Sequence, residues 1–374
     1  MIENTRSHVE YMARAISLAN RGLYTTDPNP RVGCVIVKDG LIVGEGFHRK
    51  AGEGHAEVNA LAQAGEQSKG ATAYVTLEPC SHFGRTPPCS DSLIKAGISS
   101  VVCAMKDPNP QVSGKGFMKL ENAGVEVLVG VLEQEARALN PGFIKRMETG
   151  LPFVRLKMAC SLDGRTAMAS GESQWITGPA ARSDVQKLRA RSSAIVTGIE
   201  SILQDDSSLT VRSKELGLEP LLADEIAQRQ PLRVVLDSQG RIPKSAKILQ
   251  QTGDTLVVVS HGVQIPFPVE TLALNKGQKG LDLTELLTEL ALKNCNEVLI
   301  ETGATLAGQF VDQGLVDEMV LYMAPCFMGS DARPMLDMPL QIMADKKLLT
   351  VTDIRMVGND MRLTLRFNRG ITKT

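Results

Sequence analysis

No charge imbalance, no long apolar run and no cysteine framework mark this sequence. Lysine and arginine number 41 against 42 acidic residues, a net charge of −1, and no run of like charge stands out. Polyanions are held by clustered basic side chains, so the balance argues against a nucleic-acid partner. A small phosphorylated ligand needs only one or two placed cations and stays open. No stretch of eighteen or more apolar residues occurs, so no membrane span is expected. The first residues, Met1 to Arg6, show no apolar targeting core. The cysteines number 7, odd and scattered, which is no disulfide framework. A reducing cytoplasm fits both observations. There is no internal repeat and no low-complexity tract. With 43% hydrophobic and 22% charged residues over 374 positions the chain reads as globular, and that length predicts two domains.

What is there is a short constellation: His55-Ala56-Glu57, then Pro79-Cys80, then Cys89. One imidazole and two thiolates hold Zn²⁺ and leave a fourth position for water, and Glu57 beside them has the chemistry of a proton shuttle. Hydrolytic nucleobase deaminases carry H-x-E followed by P-C-x-x-C. Here the second cysteine stands nine positions after the first instead of three. Residues 81–88 between them are punctuated by Gly84, Pro87 and Pro88 and read as a loop. A loop of that length can return Cys89 to the start of a helix predicted over 89–96. Other readings exist for the parts. His82 can replace one cysteine or complete a closed, structural zinc site, H-x-E recurs by chance, and a buried cysteine is often a small hydrophobe.

Along the first part, Val9, Met12, Ala13, Ile16 and Ala19 recur at helical spacing and predict a helix over 8–21. Short apolar runs at 32–37 and 41–46 flank Asp39-Gly40, a hairpin signal. A helix over 55–64 carries His55 and Glu57 in its first turn. Strands follow at 71–77, 100–105 and 125–129, with a helix at 117–123. This order predicts a three-layer α/β domain with ligands on helix N-termini at strand ends. Residues 148–152 read as a linker, after which a second α/β unit starts with a strand at 153–159. Further strands are predicted at 194–198, 233–237, 255–260, 297–301 and 318–324, helices at 185–191, 283–293 and 306–313, and a closing hairpin at 348–357 and 361–367. Residues 213–230 read as an irregular surface excursion.

The second unit's chemistry is less legible. Residues 298–306 form a strand, a small-residue turn and a helix start, and such a turn suits a phosphate or pyrophosphate. Polar turns lie at 161–165 and 173–177, and Trp175, the only tryptophan, can pack or wall a flat ring. Residues 204–212 set acid and base side by side in a loop, which is equally a solvated turn.

Several segments together carry a resemblance: Pro28-Asn29-Pro30 with Val32-Gly33, 54–58, 76–89 with its long cysteine gap, Asp107-Pro108-Asn109-Pro110, Ser161-Leu162-Asp163-Gly164-Arg165, and Asp205-Asp206 with 209–212. Over essentially its whole length the chain resembles the bifunctional riboflavin-biosynthesis family that joins a pyrimidine deaminase to a reductase. The resemblance implies a cytidine-deaminase-like three-layer α/β/α domain over 1–148 and a dihydrofolate-reductase-like α/β domain over 149–374. It implies zinc-dependent deamination of 2,5-diamino-6-ribosylamino-4(3H)-pyrimidinone 5′-phosphate, then NADPH-dependent reduction of the ribosyl group to ribityl. By carry-over, His55, Cys80 and Cys89 bind Zn²⁺ and Glu57 is catalytic. NADPH contacts fall on Ala159, Trp175, Ser201, Asp205, Ser238, Gly303, Ala304, Thr305 and Leu306. Substrate contacts fall on Ser173, Arg189, Leu209, Arg212 and Glu301, and Lys157, facing out of the first strand, is a further candidate near the ribose. Guanidinium suits bidentate phosphate binding, which makes physical sense of Arg189 and Arg212. The chain has Glu301-Thr302-Gly303 where the family often has Glu-Gly-Gly. A homo-oligomer, with a dimer favoured, is the expected assembly.

Overall fold

Asp39 and Gly40 both take positive φ, 50° and 76°, which is the mirror-image turn that matches the twist of a two-stranded hairpin. The computed structural model that shows this describes residues 2–81, 87–110, 112–277 and 279–367. Two compact units divide the chain, Met1–Gly150 and Leu151–Thr374.

The first unit runs α1 (Ile2–Asn20), β1 (Gly33–Lys38), β2 (Leu41–Phe47), α2 (Ala56–Ala64), β3 (Thr72–Val75), α3 (Cys89–Lys95), β4 (Ser100–Cys103), α4 (Lys115–Asn122), β5 (Glu126–Val129), α5 (Glu133–Leu139) and α6 (Pro141–Thr149). Its sheet has the order β2-β1-β3-β4-β5. β1 is antiparallel to both neighbours, and β3, β4 and β5 are parallel. Alternate residues of β1 point to opposite faces. Val35 and Val37 join Met12, Ala15, Phe143 and Ile144 on one face, while Cys34 and Ile36 join Ala60, Leu93 and Leu120 on the other. Helices therefore cover both faces, in the three layers expected. α5 and α6 were not foreseen. Each is short, and their few buried side chains, such as Ala136 and Ile144, straddle the break at Asn140-Pro141, so no single helical stripe spans them. α6 runs into the predicted linker and stops at Gly150, whose φ of 73° caps it.

The second unit runs β6 (Phe153–Ser161), β7 (Arg165–Ala167), α7 (Pro179–Arg191), β8 (Ala194–Gly198), α8 (Ile199–Asp205), α9 (Pro220–Gln228), β9 (Leu232–Leu236), β10 (Thr255–Ser260), β11 (Glu270–Leu274), α10 (Leu283–Leu292), β12 (Glu297–Glu301), α11 (Ala304–Asp312), β13 (Glu318–Ala324), β14 (Arg333–Pro334), β15 (Leu349–Val357) and β16 (Asp360–Phe367). Nine strands make one sheet in the order β11-β10-β9-β8-β12-β6-β13-β16-β15. Every pair from β11 to β13 is parallel, and β16 and β15 close the sheet antiparallel. Parallel strands are covered on both sides, and all five residues of β12 are buried, Val298, Leu299 and Ile300 between two glutamates that are held in ion pairs. α10 and α11 cover one face, and α7 with Leu209 and Ile248 covers the other. Part of the predicted excursion at 213–230 is in fact α9, started by the Glu219 carboxylate accepting from Leu222 N at 3.1 Å and anchored by buried Ala223 and Ile226.

Candidate functional site

In the first unit, α2 packs so closely on β2 that a Cβ on Gly46 would lie 2.3 Å from the Ala56 carbonyl oxygen. That contact fixes the mouth of α2, where His55 is the extended N-cap residue and Glu57 sits in the first turn. Past the end of β3, Glu78 is buried and accepts three backbone N–H groups. Its Oε2 takes Asp107 at 3.1 Å and Gly114 at 2.9 Å, and its Oε1 takes Gly116 at 2.9 Å. Cys80 lies two residues beyond this clamp, and Cys89 opens α3.

The three side chains meet. His55 Nδ1 is 3.2 Å from Cys89 Sγ and 3.7 Å from Cys80 Sγ, and all three ligand atoms lie within 4.8 Å of one another. Zinc–sulfur and zinc–nitrogen bonds of about 2.3 and 2.0 Å set tetrahedral ligands about 3.6 Å apart, so this donor set fits Zn²⁺ with a position left open. Cys80 Sγ also accepts the Cys89 backbone N–H at 3.3 Å. The Cys89 thiol and His55 beside it pull the Cys80 thiol well below its ordinary value. Thiolate is the form a metal takes. Glu57 is 3% exposed. Burial, with the nearby charge of Cys80 adding to it, pushes its carboxyl up to about 6. A buried carboxyl poised near neutrality can both take and give a proton. His82, the alternative ligand, lies outside the described residues.

Sequence reasoning missed His48. It is 2% exposed, and its ring stands edge-on to that of His55 with centroids 5.3 Å apart. His48 Nδ1 lies 3.2 Å from the Gly54 carbonyl oxygen, which can only accept, so Nε2 accepts from Asn29 Nδ2 at 3.1 Å. Burial lowers the pKa of His48, so a neutral imidazole backs the ligand ring. Asn29 was in view, within a segment singled out for its prolines, but nothing local linked it to His48.

In the second unit, a cleft of about 830 Å³ opens at the C-terminal ends of the parallel strands, where open α/β sheets place their ligands. Lys157, Ala159, Ser173, Trp175, Arg189, Ser201, Asp205, Leu209, Arg212, Ser238, Glu301 and the turn Gly303, Ala304, Thr305 and Leu306 all line it. Lys157 and Glu301 are register partners on β6 and β12. Arg189 reaches Glu301 from α7 with Nε to Oε1 at 2.6 Å and Nη2 to Oε2 at 3.0 Å, and its Nη1 donates to the Thr210 carbonyl at 3.2 Å. Its fork is therefore already filled. Arg212 is half exposed and pairs with Glu215, Nε to Oε1 at 2.7 Å and Nη2 to Oε2 at 2.7 Å, while its backbone N–H donates to Gln186 Oε1 at 3.0 Å. Across the mouth, Ser173 Oγ donates to Asp205 Oδ1 at 3.2 Å. Trp175 is 70% exposed, and the Arg182 guanidinium lies 4.5 Å from its ring centroid. Arg182, Lys279 and Arg333 also line the cleft and were not foreseen, and Gln204, at the head of the 204–212 segment, joins them. The 161–165 turn is a brace: Asp163 accepts from Ser161 Oγ and from Met328 N and Gly329 N, at 3.1 and 2.8 Å for the two amides, and its carboxyl falls to about 2.

Comparison with known proteins agrees with this geometry. Residues 152–363 match the RibD C-terminal domain family, and residues 5–105 match the cytidine and deoxycytidylate deaminase zinc-binding region. The riboflavin biosynthesis protein RibD of Escherichia coli K12 is 53% identical over 359 residues, 95% of this chain and 98% of that protein. The solved structure of Acinetobacter baumannii RibD superposes with a TM-score of 0.90 at 48% identity, covering 98% of this chain and 100% of that one. A Thermotoga maritima diaminohydroxyphosphoribosylaminopyrimidine deaminase/5-amino-6-(5-phosphoribosylamino)uracil reductase superposes with a TM-score of 0.84 at 33% identity, with 98% and 100% covered.

Proposed function

This chain belongs to the RibD family of riboflavin biosynthesis proteins, and on that premise we propose how its residues divide two consecutive reactions. The protein is a bifunctional enzyme with Zn²⁺ and NADPH as cofactors. It deaminates 2,5-diamino-6-ribosylamino-4(3H)-pyrimidinone 5′-phosphate hydrolytically, then reduces the ribosyl side chain to give 5-amino-6-ribitylamino-uracil 5′-phosphate.

We assign deamination to residues 1–148 and reduction to 149–374, a division supported by the unit boundary after Gly150. His55, Cys80 and Cys89 hold the metal, with Glu78 fixing the backbone ahead of Cys80. Zinc, when bound there, would lower the pKa of a water in the open position and so supply hydroxide near neutral pH. Glu57 would take one proton of the attacking water and give it to the ring nitrogen, then take the second from the hydroxyl so formed and give it to the amino group, which leaves as ammonia while the C–OH becomes the carbonyl. Its raised carboxyl suits both directions of transfer. In the second unit, Ala159, Trp175, Ser201, Asp205 and Ser238, which line the cleft, would hold the cofactor, and the Gly303 to Leu306 turn would offer backbone N–H groups at the start of α11 to its phosphates. NADPH supplies the hydride. Ser173, Leu209, Glu301 and Lys157 shape the substrate end, with Lys157 facing the ribosyl group. Arg189 positions Glu301, and Arg212 is left as the guanidinium that meets the substrate phosphate. The enzyme acts as a homo-oligomer, most simply a dimer, in a reducing cytoplasm, which an odd and scattered set of cysteines suits. Among the described residues no helix is long and apolar enough to cross a membrane.

The convergence of His55, Cys80 and Cys89 beside buried Glu57 carries this reading. It is tested by supplying the diaminopyrimidinone phosphate with NADPH and following ammonia and NADPH absorbance separately. Ammonia should appear first and NADPH oxidation should depend on it. Zinc-loaded protein that releases no ammonia would make the metal structural.

A further inference from the structure

Between β7 and α7 the chain lines the second unit's cleft with Ser173, Trp175 and Thr177. This strap is pinned at both ends. Ser173 Oγ donates to Asp205 Oδ1 at 3.2 Å. The Gly178 N–H donates at 2.8 Å to Oδ2 of Asp360, a residue only 3% exposed. Between the pins stands Trp175, 70% exposed. An indole so bare has little packing to fix it. Arg182 is laid on it: the guanidinium lies 4.5 Å from the ring centroid, and its Nη1 donates to the Thr177 carbonyl oxygen at 2.9 Å. One side chain thus grips both the indole and the backbone two residues beyond it. Arg182 has a firm base. α7 buries Ala181, Val185 and Leu188, and its first turn is packed so closely that a Cβ on Gly358 would come within 2.9 Å of Ala180 Cβ. Among the described residues no carboxylate pairs with Arg182.

We propose that Arg182 is a positioning residue for the reductase: it sets Trp175 in place for the cofactor and acts on the cofactor through that ring, not by touching it. A guanidinium is planar, so it can lie on an aromatic face while its edge donates a hydrogen bond. Those are the two contacts that Arg182 makes. The cation is drawn to one face of the indole, which leaves the opposite face to take a flat group of the cofactor. An exposed aromatic held in its bound place before the ligand arrives removes an ordering cost from binding. This rests on the assignment of Trp175 to the cofactor made above and names the side chain that fixes it.

Trp175 is the only tryptophan, so indole emission of the full zinc-loaded chain, excited beyond the tyrosine band, reports this ring alone. NADPH absorbs where tryptophan emits, and its binding to the wild type should quench Trp175 and brighten the nicotinamide. Arg182→Ala removes both contacts and suits a helix. Before NADPH is added, the indole of this variant should show lower anisotropy and stronger quenching by acrylamide than in the wild type, with the urea unfolding midpoint unmoved. Its Kd for NADPH should rise by about fivefold, the size of one exposed cation–π contact. In a Trp175→Leu chain, where binding is read by nicotinamide emission, adding Arg182→Ala should weaken NADPH no further, because two residues that act through one contact do not add. Wild-type anisotropy in Arg182→Ala, or losses that multiply in the double variant, would show that Arg182 meets the cofactor itself or does nothing, and either overturns the proposal. If NADPH binds the wild type and leaves Trp175 emission unchanged, the assignment of Trp175 to the cofactor fails first and the proposal falls with it.

Discussion

The Arg189 guanidinium closes on the Glu301 carboxylate through both its arms, Nε to Oε1 at 2.6 Å and Nη2 to Oε2 at 3.0 Å. The side chains are 12% and 8% exposed, and Lys157 stands beside Glu301 in the sheet register. Burial alone would raise the Glu301 carboxyl, but Arg189, with Lys157 adding to it, outweighs burial and the net shift is downward. A charged carboxylate is thereby held rigid in the cleft.

Glu301→Ala strands the Arg189 charge in a nearly dry site. Removing one partner of a buried pair destabilises by about 3–5 kcal/mol, so the urea midpoint of the second unit should fall clearly. The pH dependence has a definite sign. Because the folded carboxyl is lowered, the pair's stabilisation is full above the unfolded carboxylate value of about 4.3 and is lost as pH falls below that through the folded value. Wild-type and Glu301→Ala unfolding curves should therefore converge in acid. A gap that stays constant from neutral pH into acid would show that the pair's charge contributes nothing.

This pairing also shows where reading the sequence stops. Arg189 and Glu301 are 112 positions apart, and nothing local says that one fills the other's hydrogen bonds. The clustering of His55, Cys80 and Cys89 was legible because ligand chemistry resides in residue type and order, and the Asp39-Gly40 hairpin because two residues decide it. β11 was not, since only Leu274 of its five residues is buried and no alternation shows. α9 hid in a polar stretch because its helix rests on one capping carboxylate and two buried side chains. His48 was illegible for the same reason as Arg189: its meaning lies in the ring of His55 and the amide of Asn29, both brought to it by the fold.

Glu57→Gln preserves size and leaves the metal ligands untouched. Zinc content by elemental analysis should match wild type, and deamination should fall by roughly 10²–10⁴, the range for loss of a general acid–base. Reduction of substrate deaminated beforehand should proceed as in wild type. Loss of zinc from this variant would make Glu57 part of the ligand set.

Metal retention separates the two candidate ligand sets. Cys89→Ala should bind little zinc and release no ammonia, because three protein ligands are the number an open site needs. His82→Ala should keep its zinc. The reverse pattern, zinc lost with His82 and kept without Cys89, would replace the long-gap assignment by a histidine one.

Arg212 is the guanidinium proposed to meet the substrate phosphate. Its Nε and one Nη2 hydrogen are spent on Glu215, which aims the guanidinium and, among the described residues, leaves its outer edge free. Arg189 has no such edge, since Glu301 and the Thr210 carbonyl already engage it on both sides. Arg212→Lys keeps the charge but loses the planar fork that fits both Glu215 and a phosphate. The KM for the ribosyl phosphate should rise by roughly tenfold, equal to about 1.4 kcal/mol, with NADPH affinity nearly unchanged. Glu215→Ala should raise the same KM through loss of aim alone, and by less. If Arg212→Lys instead abolishes NADPH binding and spares the substrate KM, Arg212 serves the cofactor, and the substrate and cofactor ends of the cleft must be exchanged.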